Sequence, residues 1–144
     1  MIKLTDEMHQ FLDNPPGHLN PCIIATADLS GTPNAGFIGT VFAIDEDTLC
    51  YRDRSGKNPL DHIESNPKVL VLFRIPGEDT GWKFRCEPEV YRDGPQYDQA
   101  ISRLIDSGVP SNPSIQSAIV YLKIDQILSL YGDILQERNL GSEW

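Results

Sequence analysis

Apolar residues along the chain fall into two spacings, one helical and one alternating. Met8, Phe11 and Leu12 form a helical stripe. Thr5 is placed to cap that helix, Asp6 and Glu7 suit the positive end of its dipole, and Asn14-Pro15-Pro16-Gly17 ends it. The spacing predicts a helix from Thr5 through Asn14. The pattern then changes to strands. Cys22–Ala27 is a short apolar run, Ser30-Gly31-Thr32-Pro33 a turn, and Asn34–Ile44 a second strand interrupted by Gly36 and Gly39. Asp45-Glu46-Asp47 makes a charged hairpin tip, and Thr48–Arg52 reads as a third strand of an antiparallel meander.

A short helix follows, with Asn58 as its cap, Pro59 at its first position, and Leu60 and Ile63 facing inward. Pro67 stops it. Lys68–Ile75 is an apolar strand, and Gly81–Tyr91 a long one in which Trp82, Phe84, Cys86 and Val90 alternate with Lys83, Arg85, Glu87 and Glu89. Such alternation gives one buried face and one wet face. Pro88 inside that run implies an edge or a bulge. Asp93-Gly94-Pro95 opens another helix with Tyr97, Ile101, Leu104 and Ile105 on one side, closed by Gly108 and Pro110. Two last strands are expected at about Ile115–Ile124 and Ile127–Tyr131. About seven strands and three short helices predict a single mostly β domain over residues 1–144. A β-barrel or sandwich plugged by helices is the architecture expected.

Composition narrows the function. The net charge of −9 repels phosphate backbones, and no basic stretch offsets it, so no nucleic-acid partner is expected. The N-terminus has no apolar leader, and Pro21–Ala27 and Val69–Phe73 are far too short to span a bilayer. Cys22, Cys50 and Cys86 are odd in number and lie in apolar runs, which predicts buried reduced thiols in a soluble, cytoplasmic protein.

Positive charge is unevenly distributed. Lys3 is the only basic residue before position 52; Arg52, Arg54 and Lys57 then arrive within six positions. They lie on the segment Tyr51-Arg52-Asp53-Arg54-Ser55-Gly56-Lys57-Asn58-Pro59, which runs into a helix start. Unpaired N–H groups and the helix dipole there favour an anion, Ser55 adds a hydroxyl and Gly56 permits close backbone approach. One phosphomonoester is the natural guest, held by Lys57 with Ser55 and Asn58. One of Arg52 and Arg54 at most, Arg54 for preference, is expected to share the role. The competing reading is a solvated loop whose cations pair with surface carboxylates. Gly36 and Gly39 weaken a strand unless a bulge or a close ligand requires them, so Gly36-Phe37-Ile38-Gly39-Thr40 either bulges or lays a flat ligand along its backbone. His9, His18 and His62 have no metal-ligand spacing, and no metal is expected. No nucleophile elbow, zinc helix or Cys-x-x-Cys is present.

Several runs together resemble the pyridoxamine 5′-phosphate oxidase-like, FMN-binding split-barrel family, in particular its short bacterial FMN-binding members. They are Cys22-Ile-Ile-Ala-Thr-Ala, Gly31-x-Pro33-Asn34, Asp53-Arg-Ser-Gly-Lys57, Ile63-Glu-Ser-Asn-Pro-Lys-Val69, Gly81-Trp-Lys-Phe-Arg85 and Asp93-Gly-Pro-x-Tyr97. The resemblance covers about residues 5 to 132. It implies a split β-barrel of Greek-key antiparallel strands and a homodimer with FMN in the cleft between subunits. The family's phosphate loop falls on Asp53 through Pro59, with Asn58 at a position the family commonly makes basic. Its flavin-ring strand falls on Gly36 through Thr40. Trp82 and Phe84 would either extend the subunit interface or fill the core. The oxidase's C-terminal substrate segment, with its tryptophan and arginine, has no clear counterpart, so oxidation of pyridoxamine phosphate is not expected. The implied activity is a small FMN-dependent oxidoreductase or electron carrier acting on an unidentified small molecule or electron donor. The alternatives are an F420-dependent reductase on the same barrel, a non-enzymatic flavin store or sensor, and a structural barrel without cofactor.

Overall fold

The computed structural model describes residues 1–54, 58–109, 116–141 and 143–144, with the backbone alone at Asn58 and Pro59. Helix α1 (Asp6–Leu12) starts where the Thr5 hydroxyl accepts the Met8 N–H at 3.2 Å. It stops short of Asn14, because a residue before proline is pushed out of the helical region. Its Met8 and Leu12 are buried, and Phe11 packs on Phe73 with ring centroids 5.9 Å apart.

The strands are β1 (Cys22–Ala27), β2 (Pro33–Ile38), β3 (Phe42–Ala43) and β4 (Thr48–Asp53), then β5 (Val69–Arg74) and β6 (Gly81–Tyr91), and finally β7 (Ala118–Ser129) and β8 (Ile134–Glu137). Helix α2 (Asn58–Ser65) joins β4 to β5, and α3 (Pro95–Asp106) joins β6 to β7. All pairs are antiparallel, in the order β2-β1-β5-β6-β7-β4-β3, with β8 added to β7. β4 and β5, consecutive in the chain, are not neighbours, since α2 carries the chain across. The result is a mostly β protein whose sheet curls into the half-barrel of the split β-barrel fold.

Two strand boundaries differ from those the pattern predicts. The expected strand Asn34–Ile44 is two strands, because the chain breaks pairing at residues 39–41 to reach across to β4. The two expected last strands are one strand of 12 residues. The polar pair Asp125-Gln126 reads as a turn, yet Gln126 is buried and accepts a hydrogen bond from Arg85 Nη1 at 2.9 Å. Around it β7 changes its neighbour on one edge from β4 to β8. β8 itself lacks a strong apolar signal, and its Ile134 and Leu135 stay half exposed. Pro88 sits as its chemistry requires. β5 pairs β6 only as far as Cys86, where the register also shifts, so Pro88 has β7 on one side alone.

The main core lies on the concave face. Leu49 and Tyr51 of β4, Val69, Val71 and Phe73 of β5, Trp82 and Phe84 of β6, and Leu122 and Ile124 of β7 meet there. Leu60 and Ile63 of α2 close it as expected. Trp82 and Phe84 are therefore core residues. Each large side chain so buried contributes roughly 1.5–3 kcal/mol from its transfer out of water. A second cluster forms on the outer face, where Ala100 and Leu104 of α3 cover Phe42, Cys50 and Ile119. Tyr97 and Ile101 pack at its margin, whereas Ile105, expected on the same stripe, faces outward and is 52% exposed. The three cysteines are buried and free, and burial pushes the Cys22 thiol up to about 12. No helix among the described residues is long and apolar enough to cross a membrane.

Candidate functional site

Alternation along β4 separates its side chains. Leu49 and Tyr51 enter the barrel, while Cys50 faces α3 on the other side of the sheet. Arg52 follows Cys50 on that outer face. It reaches the place where α3 has ended, beside Gly108 and Val109. Its main chain is held there by one hydroxyl: Thr40 Oγ1 accepts the Arg52 N–H at 3.2 Å and donates to the Arg52 carbonyl at 3.3 Å. That clamp draws the segment after β2 against the end of β4.

A cleft of about 480 Å³ results. Phe37 to Thr40 form one wall and Arg52 and Arg54 the other, with Gly17 and His18 at the rim. Gly39 shows why the two sides meet. Its carbonyl accepts the Gly17 N–H at 3.0 Å, and a Cβ on Gly39 would lie 2.9 Å from the Gly17 carbonyl carbon. The close approach that Gly39 permits is thus between two segments of the chain itself. Gly36, by contrast, has no described residue within 4 Å of where a Cβ would lie.

Arg52 is only 5% exposed, and its Nε finds no hydrogen-bond partner among the described residues. Burial lowers its pKa, and the nearby Arg54 charge lowers it further. Arg54 is exposed and lines a second hollow of about 360 Å³ toward the start of α2, next to Asp53, Leu60 and Asp61. Residues two apart on a strand share a face, and both Arg52 and Arg54 line the cleft. Asp53, 4% exposed, belongs to the second hollow. Ser55, Gly56 and Lys57 lie outside the described residues, as do the side chains of Asn58 and Pro59. Of the predicted site residues, then, Phe37, Ile38, Gly39, Thr40 and Arg54 come together around the cleft, and Gly36 lies one residue beyond it. Gly17, His18, Gly108 and Val109 were not foreseen. They come from loops far apart in sequence and carry no motif.

No Asp or Glu lines the cleft among the described residues, although the chain carries 21 acidic side chains. The exposed Phe37 ring and Ile38 make the opposite wall apolar. Cations on one side and an apolar surface on the other suit a planar ligand bearing an oxyanion, as FMN does. No group of described residues is arranged to hold a metal ion. His62, in the last turn of α2, bonds through Nδ1 with the Thr26 hydroxyl at 3.1 Å and is not part of the cleft. Trp144 is likewise absent from the cleft walls and stacks on Arg85, whose guanidinium carbon lies 5.3 Å from the ring centroid.

Comparison with known proteins places this geometry in a family. Residues 4–130 match the model of the pyridoxamine 5′-phosphate oxidase family, and the chain belongs to that family. Its fold is that of a group of solved structures. HupZ of group A Streptococcus superposes with a TM-score of 0.76 at 22% identity, over 92% of this chain and 99% of that one. An F420 reductase gives 0.66 at 16% identity, over 86% and 98%. An FMN-binding protein of Syntrophomonas wolfei subsp. wolfei gives 0.67 at 16% identity, over 86% of each. At these identities the likeness is one of fold. No curated protein matches the chain in sequence.

Proposed function

We propose that the protein binds FMN and works as a small flavin oxidoreductase or electron carrier. The observation that carries the reading is the cleft between Phe37–Thr40 and the cationic end of β4 in a member of this family. In this reading the isoalloxazine ring lies along the Gly36–Thr40 segment. The phosphate is held by the loop Asp53–Pro59, through Arg54, Lys57, Ser55 and Asn58 at the start of α2. Bound FMN would supply two-electron and one-electron chemistry, which no side chain of the site offers. The chain's own contribution is to orient the ring on a rigid backbone, neutralise the phosphate and exclude part of the solvent.

The reading includes a homodimer. A hollow of about 610 Å³ on the outer face of β1 is lined by Leu19, Ile23, Phe37 and Leu72, and Phe37 serves this hollow and the cleft alike. Apolar side chains so exposed suit the centre of a subunit interface. Sedimentation of the FMN-loaded protein at micromolar concentration checks it, and a monomer would contradict it.

Calorimetry of flavin-free protein with FMN, riboflavin and F420 tests the function. Saturable binding of FMN is expected, and Lys57→Ala should weaken FMN by about tenfold while leaving riboflavin nearly unchanged. Equal losses would remove Lys57 from the phosphate site. Preference for F420 would favour the deazaflavin reading, which the fold of the F420 reductase supports. Absence of binding by all three would sink the flavin reading.

A further inference from the structure

The flavin reading gives the FMN phosphate to Arg54 and the loop around it, and leaves Arg52 in the cleft wall with no assigned contact. Its side chain lines the cleft beside Gly108 and Val109, which follow α3, whereas the loop assigned to the FMN phosphate begins one residue later and leads to α2. A buried guanidinium nitrogen left without a partner costs stability. Here the residue is 5% exposed, its Nε has no partner among the described residues, and no described carboxylate lines the cleft. The Arg54 charge on the same face repels it. The Thr40 hydroxyl meanwhile fixes both the N–H and the carbonyl of Arg52, so the base of the side chain is held rigidly. Local choices that oppose stability in this way are characteristic of binding sites. An arginine fork presents paired donors to carboxylates and phosphates.

We propose that Arg52 is the receptor for the oxyanion of a second ligand, a small molecule with an apolar body and one carboxylate or phosphate, bound at the inner end of the cleft. Phe37 and Val109 offer the apolar surfaces against which such a body packs. The inference rests on the flavin reading for the ligand's being second to FMN; the anion receptor itself does not need it.

The test titrates FMN-loaded protein with benzoate, phenyl phosphate and the neutral control benzyl alcohol, following the flavin spectrum and the melting temperature. The benzoate and phenyl phosphate arms separate a carboxylate from a phosphate ligand. Wild-type protein should bind at least one of these two saturably and ignore benzyl alcohol. Arg52→Met keeps most of the side chain's volume and removes its charge. It should weaken the probe by about ten- to a hundredfold, weaken FMN by much less than the probe, and melt higher than wild type when no probe is present. Arg52→Lys, which keeps the charge but loses the fork, should fall between the two and keeps the test open if Arg52→Met does not fold. No binding of either anion by wild-type protein overturns the proposal. So does an Arg52→Met variant that melts lower and still binds the probe, which would make Arg52 a structural residue. An equal loss of FMN affinity in Arg52→Met would put Arg52 in the flavin's own phosphate site, overturning the second ligand and sparing the flavin reading. Wild-type protein that binds a probe through Arg52 but takes no FMN would sink the flavin reading alone.

Discussion

Strands β6 and β2 both carry aromatic side chains, and these meet opposite fates. In β6 the residues Trp82, Phe84 and Cys86 are buried, because β5 and β7 flank the strand and the barrel closes over that face. In β2 the face that carries Phe37 stays open, with Phe37 75% exposed, and among the described residues β1 alone pairs with this edge strand. Alternation tells which residues share a face. The number of neighbouring elements decides whether that face is covered. The first region provides stability, and the second provides surface for a ligand or a second subunit.

The comparison can be broken from the stable side. Phe84→Ala removes a fully buried ring from the main core and should cost about 3–5 kcal/mol, read as a lower midpoint in chemical denaturation. A loss within the range of an ordinary surface change would mean that the core is not organised around β6. On the open side, Gly39→Ala should cost about 1–3 kcal/mol, because its Cβ would press on the Gly17 backbone and no flexible side chain is there to yield. The same variant should weaken FMN binding, as it moves apart the two segments that shape the cleft.

A smaller effect concerns the clamp on α1, the helix from which the Gly17–His18 rim departs. His9 Nδ1 lies 2.6 Å from Asp13 Oδ1, and its Nε2 3.5 Å from Glu46 Oε1 in the β3–β4 turn. The hydrogen bond to Asp13 raises its pKa above the ordinary 6.5, with the Asp13 and Glu46 charges adding to it against a cost of burial. The raised value means that the folded state binds the proton more tightly. Its stabilisation is complete below pH 6.5 and is lost as pH rises through the higher folded value. Partial exposure keeps this below about 1 kcal/mol. Denaturation midpoints measured across that window should fall with rising pH in the wild type, and less so in Asp13→Asn. The smallest effect is at Gly36. A methyl group there meets open space, so Gly36→Ala should raise stability by roughly 0.5 kcal/mol as backbone freedom falls. A loss of FMN affinity in that variant would sharpen the contrast between the two glycines, since no described residue of the chain stands near that methyl.

Much of the fold was legible from residue pattern. Thr5 caps α1, β6 spans Gly81–Tyr91 as its alternation predicts, and Pro95 opens α3 after Gly94. The boundaries that failed share one cause, which is side chains satisfying backbone or polar groups across the sheet. Thr40 bonds to the main chain of Arg52 and so ends β2, and Arg85 pairs with Gln126 and so carries β7 through a polar stretch. Neither partner is near in sequence, so no local reading finds them. The site was legible in the same degree. Phe37–Thr40 and Arg54 were marked by their glycines and by the charge run, and the structure sets both beside one cleft.

By itself the sequence determined the all-antiparallel β character, the positions of three helices, and the concentration of positive charge at residues 52–57 in an otherwise acidic chain. These follow from chain-local physics: side-chain period, capping, turn chemistry and composition. The tertiary structure alone decided which of the two arginines enters the low-dielectric side of the cleft and which stays in solvent. Arg52 is 5% exposed and Arg54 is exposed, in a cleft to which Gly108 and Val109, more than 50 positions later, contribute after α3 has ended. The solvation of a charge is set by whatever covers it, and here the cover comes from a helix and loops that only folding brings near.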